Sequence, residues 1–294
     1  QQAYAKLAES EAQTVPDSRQ ALLDEAVALL DRCAAPDDES VSVAERVLIG
    51  TAWIRAGVPT RGLPYLNQDW TEAAPQLAGL AGTALMSLGA IAPALPALQR
   101  AATGEQVSAA IRINLGRALL MTGHAEEALP QLEQGRHGMG DGNTLATLSL
   151  AEALLSQGRT QDALNLVPEN LEDEQMVITR VRLLGAANQH EDASRLLRQA
   201  REKLSDSQPL LLLSAELAEV RGRHGEAVAV LRKALEKDPD NLVLLVRLAH
   251  SGRKVGLSAL ARPAADRAMA LAAEQGPQAQ ALAMNAHAHV LTEE

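Results

Sequence analysis

The chain of 294 residues contains no Phe, and aromatic residues of all kinds make up 1% of it. A large single core normally takes much of its volume from aromatic rings. One thick globular core is therefore not expected, although 47% of the residues are hydrophobic. Burial must fall to Ala and Leu, in thin layers of closely approaching helices. Cys33 is the only cysteine, which rules out an intrachain disulfide and zinc spacing of cysteines. Positive charge is in deficit, with a formal net charge of −10. Without a basic surplus or stacking aromatics, nucleic acid is not the expected partner. No apolar run approaches the ~20 residues of a spanning helix, so direct membrane insertion is not expected either. A reducing bacterial cytoplasm and a cysteine-poor periplasm fit equally well, and the compartment stays unassigned. The opening Gln1-Gln2-Ala3-Tyr4 is neither an initiator Met nor a leader and reads as the start of a processed or excised piece.

What the chain does have is internal repetition, which takes precedence over any local assignment. A residue tolerant of positive φ recurs at Gly57, Gly89, Gly123, Gly158, Asn188, Gly222 and Gly256, in steps of 32, 34, 35, 30, 34 and 34 residues. The clearest unit is Gln208 to Asn241, QPLLLLSAELAEVRGRHGEAVAVLRKALEKDPDN. It resembles the tetratricopeptide repeat of 34 residues, in which small residues stand at repeat positions 8, 20 and 27. Ala215, Ala227 and Ala234 take those places, and Leu211, Leu231 and Pro239 take their expected ones. Position 8 then reads Gly50, Gly82, Gly116, Ala151, Val181, Ala215 and Ala249. Position 20 reads Gly62, Ala94, Ala128, Ala163, Ala193, Ala227 and Ala261. Two antiparallel helices come close only where one surface lacks a long side chain, with larger residues interdigitating around the gap. Pro64, Pro96, Pro130 and Pro263 share position 22, expected near the first turn of the second helix, where a missing N–H is tolerated.

The resemblance implies an all-α fold, an α-α superhelix of antiparallel hairpins. Seven repeats are expected over residues 43–275, starting near 43, 75, 109, 144, 174, 208 and 242. Residues 1–42 read as a degenerate helical pair, and 276–294 as a capping helix or a truncated eighth repeat. Three departures predict local bends or a break into sub-arrays: the short 144–173 repeat interrupted at Val167-Pro168, the proline-rich hairpin at 57–75, and Asp69, Gly135 and Asn170 at position 27.

In the family, positions 5 and 9 of each first helix face a concave groove. Position 5 supplies an aliphatic ribbon of Val47, Ile113, Leu148, Ile178, Leu212 and Val246, interrupted by Gly79. Position 9 supplies the charged stripe Arg117, Glu152, Arg182 and Glu216, ending in His250. Two roles stay open for these residues: anchors and register for a bound segment, or packing and mutual ion pairing. Met121 at position 13 has the same two alternatives. Asn114 is isolated, and the Lys/Asn/Arg pattern of carboxylate-clamp relatives is missing.

Catalytic and metal chemistry find no foothold. His124, His190 and His224 fall in turns and read as solvated connectors. His287 and His289 are two apart, so they point to different helix faces. Gly138-Met139-Gly140-Asp141-Gly142 lacks the strand and Lys-Ser/Thr of a phosphate loop and reads as a long connection. Asp37-Asp38-Glu39 and Glu172-Asp173-Glu174 precede helices, where carboxylates are favourable. Cys33 reads as buried or inert. No enzyme activity and no cofactor are expected. The functional expectation is a scaffold that binds a partner protein or peptide. The alternatives are a recruiting or regulatory segment of a larger bacterial protein, such as a transferase, hydroxylase or polysaccharide-export component, or a self-assembling unit that forms homo-oligomers. The register makes one stability prediction: Ala227→Leu overpacks its hairpin and costs about 1–3 kcal/mol. A melting curve identical to that of the parent chain would refute it.

Overall fold

A computed structural model of the chain describes residues 2–140, 142–170, 172–204 and 207–291. Among them are seventeen α-helices and no strand. The helices fall into two compact units, Gln1–Arg159 and Thr160–Glu294. The division lies inside the short 144–173 repeat. The first unit contains α1 (Gln2–Ala12), α2 (Pro16–Leu30), α3 (Val43–Arg55), α4 (Pro59–Leu66), α5 (Pro75–Ser87), α6 (Ile91–Ala101), α7 (Ala109–Met121), α8 (Ala125–Met139) and α9 (Thr144–Ser156). The second contains α10 (Thr160–Leu166), α11 (Glu174–Ala186), α12 (His190–Lys203), α13 (Gln208–Val220), α14 (His224–Lys237), α15 (Leu242–Lys254), α16 (Ser258–Gln275) and α17 (Pro277–Leu291). Consecutive helices pair as hairpins within each unit.

The first helices, α3, α5, α7, α9, α11, α13 and α15, are all 13 residues long. Both of their ends have a local cause. Ser42, Ser108, Asn143, Asp173, Ser207 and Asn241 each accept a backbone N–H three residues on, a cap worth about 1 kcal/mol apiece. Ser42 and Glu45 close a reciprocal capping box. At the other end, all seven turn residues read from the sequence adopt positive φ, from 58° at Asn188 to 83° at Gly123. The following N–H then reaches back to the carbonyl five residues earlier, as from Val58 to Trp53 and from Leu257 to Gly252, over 2.8–3.0 Å. This Schellman arrangement satisfies carbonyls the helix leaves open. The same residue, such as His124 or Arg223, is also the N-cap of the next helix, so the hairpin turns with no spare residue.

The core of each hairpin is the close approach that the small positions allow. Gly62, Ala94, Ala128, Ala163, Ala193, Ala227 and Ala261 are all buried. In the first unit, Leu66, Leu98 and Leu132 close onto Gly50, Gly82 and Gly116. A Cβ on Gly50 would stand 2.9 Å from Leu66, and one on Gly82 would stand 2.7 Å from Leu98. Gly135, expected to be a departure, instead tightens α7 against α8, because a Cβ there would meet Ile113 at 2.7 Å.

Several expectations are corrected. Pro64, Pro96, Pro130 and Pro263 are the sixth residues of α4, α6, α8 and α16, inside the helix rather than in its first turn. Each is exposed, as is the residue four earlier. The carbonyl freed by the missing N–H thus lies on the water-facing side, where solvent satisfies it. The glycine-rich segment is not a long connection: α8 runs through Met139, and α9 begins at Thr144. Asp141 of that segment lies outside the described residues. The proline-rich hairpin is indeed irregular, with α4 only 8 residues long and Trp70 and Ala73 buried in the coil after it. The interruption at Val167-Pro168 ends α10 after 7 residues. Arg180 of α11 replaces the missing turn by donating to the carbonyls of Leu164, at 3.0 Å, and Val167.

Two glycines in equivalent first helices make opposite predictions. Gly116→Ala forces a Cβ into Leu132 and is expected to cost about 1–3 kcal/mol. Gly185→Ala meets nothing within 4 Å and is expected to stabilise by about 0.5–1 kcal/mol, the usual difference between Gly and Ala in a helix. Paired denaturant titrations check both signs.

Candidate partner-binding surface

In the unit Gln1–Arg159, positions 2, 5, 9 and 12 of α9 lie on one helix face by their spacing. They are Leu145, 49% exposed, half-buried Leu148, exposed Glu152 and half-buried Leu155. On α7 the equivalent face carries half-buried Arg117 and Leu120, with Met121 beside them at 64% exposure. Neither Arg117 nor Glu152 has a hydrogen bond or ion pair among the described residues. Asn114 is not idle, since it donates to Thr83 of α5 at 3.4 Å. Two of the ribbon residues offer no surface: Val47 is fully buried and Ile113 is 3% exposed. Ile113 is spent on the close contact with Gly135, and Val47 lies inside the core. At the N-terminal end of this unit, Tyr4 of α1 hydrogen-bonds Thr51 and the Leu48 carbonyl of α3. Glu11 pairs with Arg55 there at 2.9 Å. That part of the α3 face is already occupied by α1.

Gly79 stands at groove position 5 on α5 without a side chain. Where the other repeats place an aliphatic at position 5, Ile111 of α7 closes in, and a Cβ on Gly79 would meet it at 3.0 Å; beside this contact a cleft of about 810 Å³ lies between α5, α7 and residues 101–108. Leu80, Val107 and Ile111 supply apolar wall, and Gln76, Thr83 and Ser108 supply polar rim. The signal available beforehand was the broken aliphatic series itself.

In the unit Thr160–Glu294 the equivalent face is wired differently. Glu216 is paired with Arg247 of α15 at 2.6 Å, and Glu219 accepts from Arg247 and from Ser251. The stripe residues thus do not pair with one another: Glu216 is neutralised by a residue outside the stripe. Arg182 is exposed and has no partner among the described residues. Ile178 is buried, Leu212 and Val246 are half-buried, and Val220 projects at 72% exposure. His250 lines a small cleft of about 190 Å³ with Glu219, Val246 and Leu282.

A family model described as the tetratricopeptide repeat matches residues 80–141 and 178–241, one stretch in each unit. These two stretches are tetratricopeptide repeats. Solved structures agree with this all-α helical-repeat fold. A tetratricopeptide repeat protein from Parabacteroides merdae aligns with a TM-score of 0.55 at 18% identity, covering 75% of this chain and 94% of that one. A chain of the APC/C hetero-tetramer Cut9–Hcn1 gives 0.53 at 11%, covering 97% of this chain and 55% of that one. PilF of Pseudomonas aeruginosa gives 0.52 at 12%, covering 70% and 95%. At such identities the likeness is one of fold. No curated protein matches the sequence.

The remaining chemistry-bearing residues of this repeat protein are scattered. Among the described residues, no three His, Cys, Asp or Glu converge as metal ligands. Cys33, read as buried or inert, is exposed; it follows the end of α2. His190 and His224 are not fully solvated connectors: both are half-buried at the start of second helices, with Nδ1 shielded from water. His287 pairs with Asp266 at 2.9 Å. The side chain of His289 lies outside the described residues. Asp38 accepts from the Ser40 backbone and hydroxyl, which holds its carboxyl below the usual range. Asp173 caps α11.

His250 has a lowered proton affinity. Its ring packs edge-on against His224 at 6.1 Å. Loss of water on that side disfavours the imidazolium most; Arg253, Lys254 and His224 add repulsion, and Glu219 opposes them. Glu219 is already shared with Arg247 and Ser251, so the net shift is downward. His250 is expected to titrate below the ordinary value of about 6.5. An NMR titration giving 6.5 or higher would overturn this account.

Proposed function

We propose that the chain is a non-catalytic protein-interaction scaffold that holds a partner protein or peptide segment along its first-helix face. The organisation that goes with it is a degenerate helical pair over 1–42, seven repeats over 43–275 and a capping helix or truncated eighth repeat over 276–294. The observation that carries the proposal is the state of α7 and α9. Arg117 and Glu152 have no partner among the described residues, Met121 and Leu145 are exposed on the same two helices, and the Gly79 cleft lies at the N-terminal end of α7. An unpaired charge beside exposed aliphatics costs little in water, and it offers a partner both register and buried apolar area. The cleft is large enough for a bulky apolar anchor from a partner, a residue class this chain itself hardly uses. Arg182, Leu212, Val246 and His250 extend the same kind of face within the second unit. Glu216 is committed to Arg247 there, and contributes field more than contact. The Cut9–Hcn1 assembly is a hetero-tetramer, so a protein partner is compatible with this fold.

The test compares affinity capture from native lysate by the intact chain and by Met121→Asp/Leu145→Asp, after circular dichroism shows equal helicity. A protein recovered by the parent and reduced tenfold or more, about 1.4 kcal/mol, with the variant supports the face as the binding surface. Equal recoveries would remove it.

A further inference from the structure

Outside the first-helix face, α12, α13 and α14 enclose a second cleft, of about 310 Å³. Its floor is aliphatic, formed by Leu197, Leu217 and Val230. Its charged lining comprises Arg198, Arg201, Arg221 and Glu226. These four are not equivalent. Arg221 is committed, donating to Ser194 Oγ at 2.6 Å and pairing with Glu191. Glu226 faces Arg223 at 3.5 Å. Arg198 and Arg201 have no hydrogen bond or ion pair among the described residues. The cleft therefore holds two guanidinium groups without a partner among the described residues, against the single carboxylate of Glu226, in a chain whose net charge is −10.

The helix dipole favours cations in the last turn of α12, where Arg201 and Lys203 lie. It does not account for Arg198, a turn earlier. Spaced i, i+3, Arg198 and Arg201 are neighbours on one helix ridge, and both border the aliphatic floor. Guanidinium groups bind carboxylates through paired, charge-assisted hydrogen bonds. An adjoining apolar floor selects carboxylates carried next to an aliphatic side chain. The volume lies at the small end of ligand pockets, the size of one or two side chains.

We propose that this cleft docks an acidic segment of a partner protein, with an Asp or Glu carboxylate between Arg198 and Arg201 and a neighbouring aliphatic side chain on Leu197 and Leu217. Charge complementarity argues for this occupant. None of the lining residues occupies groove position 5 or 9, so the site is separate from the face described above.

Fluorescence anisotropy of the full chain tests it, using a labelled peptide of alternating Asp and Leu and its Asn–Leu twin. The Asp peptide is expected to bind at least about tenfold more tightly than the twin. Arg198→Gln/Arg201→Gln should bring the two peptides level, and Arg198→Lys/Arg201→Lys should keep part of the preference. Arg117→Gln should leave the preference intact, which separates this site from the first-helix face. Both Arg198 and Arg201 lie on the helix surface, and circular dichroism checks that each variant is folded. Equal binding of the twins, no binding of the Asp peptide at millimolar chain, or a preference that survives the Gln variant would overturn the proposal. So would a preference abolished by Arg117→Gln, or displacement of the peptide by micromolar inorganic phosphate, which would make this a phosphate site.

Discussion

The fold rests on the close approach of a small residue on one helix to the next helix, drawn tightest in the first unit, where Gly50, Gly82 and Gly116 lie under Leu66, Leu98 and Leu132. Gly116 under Leu132 is the tightest instance. At that distance dispersion and burial are gained from backbone as well as side chains. A thin two-helix layer can then exclude water without aromatic volume. The near-absence of aromatic residues and the abundance of Ala follow from this one requirement. Alternating large and small residues across the facing helices do the work that rings do in a thicker core.

The close approach also fixes where chemistry can be displayed. Each first helix starts at a side-chain cap or, in α5, at Pro75, ends at a residue of positive φ, and so keeps the same 13-residue length. Positions 5, 9 and 12 consequently recur at the same height on neighbouring helices of a unit. The second helices have no such constraint and run from 7 residues in α10 to 18 in α16. Variation is absorbed there, as where Arg180 satisfies the carbonyls that the shortened α10 leaves open. The boundary between the two compact units falls in this same hairpin, where the second helix is shortest.

Charge is then distributed unevenly over an otherwise regular scaffold. In the second unit, Arg247 draws Glu216 and Glu219 into one network, and the face is largely self-satisfied. In the first unit, Arg117 and Glu152 have no partners among the described residues, on helices that also carry exposed aliphatics. Ion pairs at such half-exposed sites are individually worth little to stability. The difference between the units therefore bears on what each can offer a partner, and hardly on how well each folds.

The repeat period, the turn residues, the buried small positions and the start of every first helix were legible in the sequence. All of them are local or nearest-neighbour requirements: positive φ demands Gly or Asn, and close approach demands Gly or Ala. Periodicity alone could not say which groove positions stay exposed. Val47 and Ile113 share position 5 with Leu148, yet they are buried while Leu148 is not. That depends on what faces them, Gly135 across from Ile113 and the surrounding core for Val47. The partner of Glu216 was hidden for the same reason, because Arg247 sits at a different repeat position on the next first helix. The prolines at position 22 were placed one turn too early, since the sequence marks the turn but not how soon the second helix starts after it. Spacing along one helix specifies backbone geometry; exposure and ion pairing depend on the side chains that adjacent helices bring to the same place, and only the packed array brings them there.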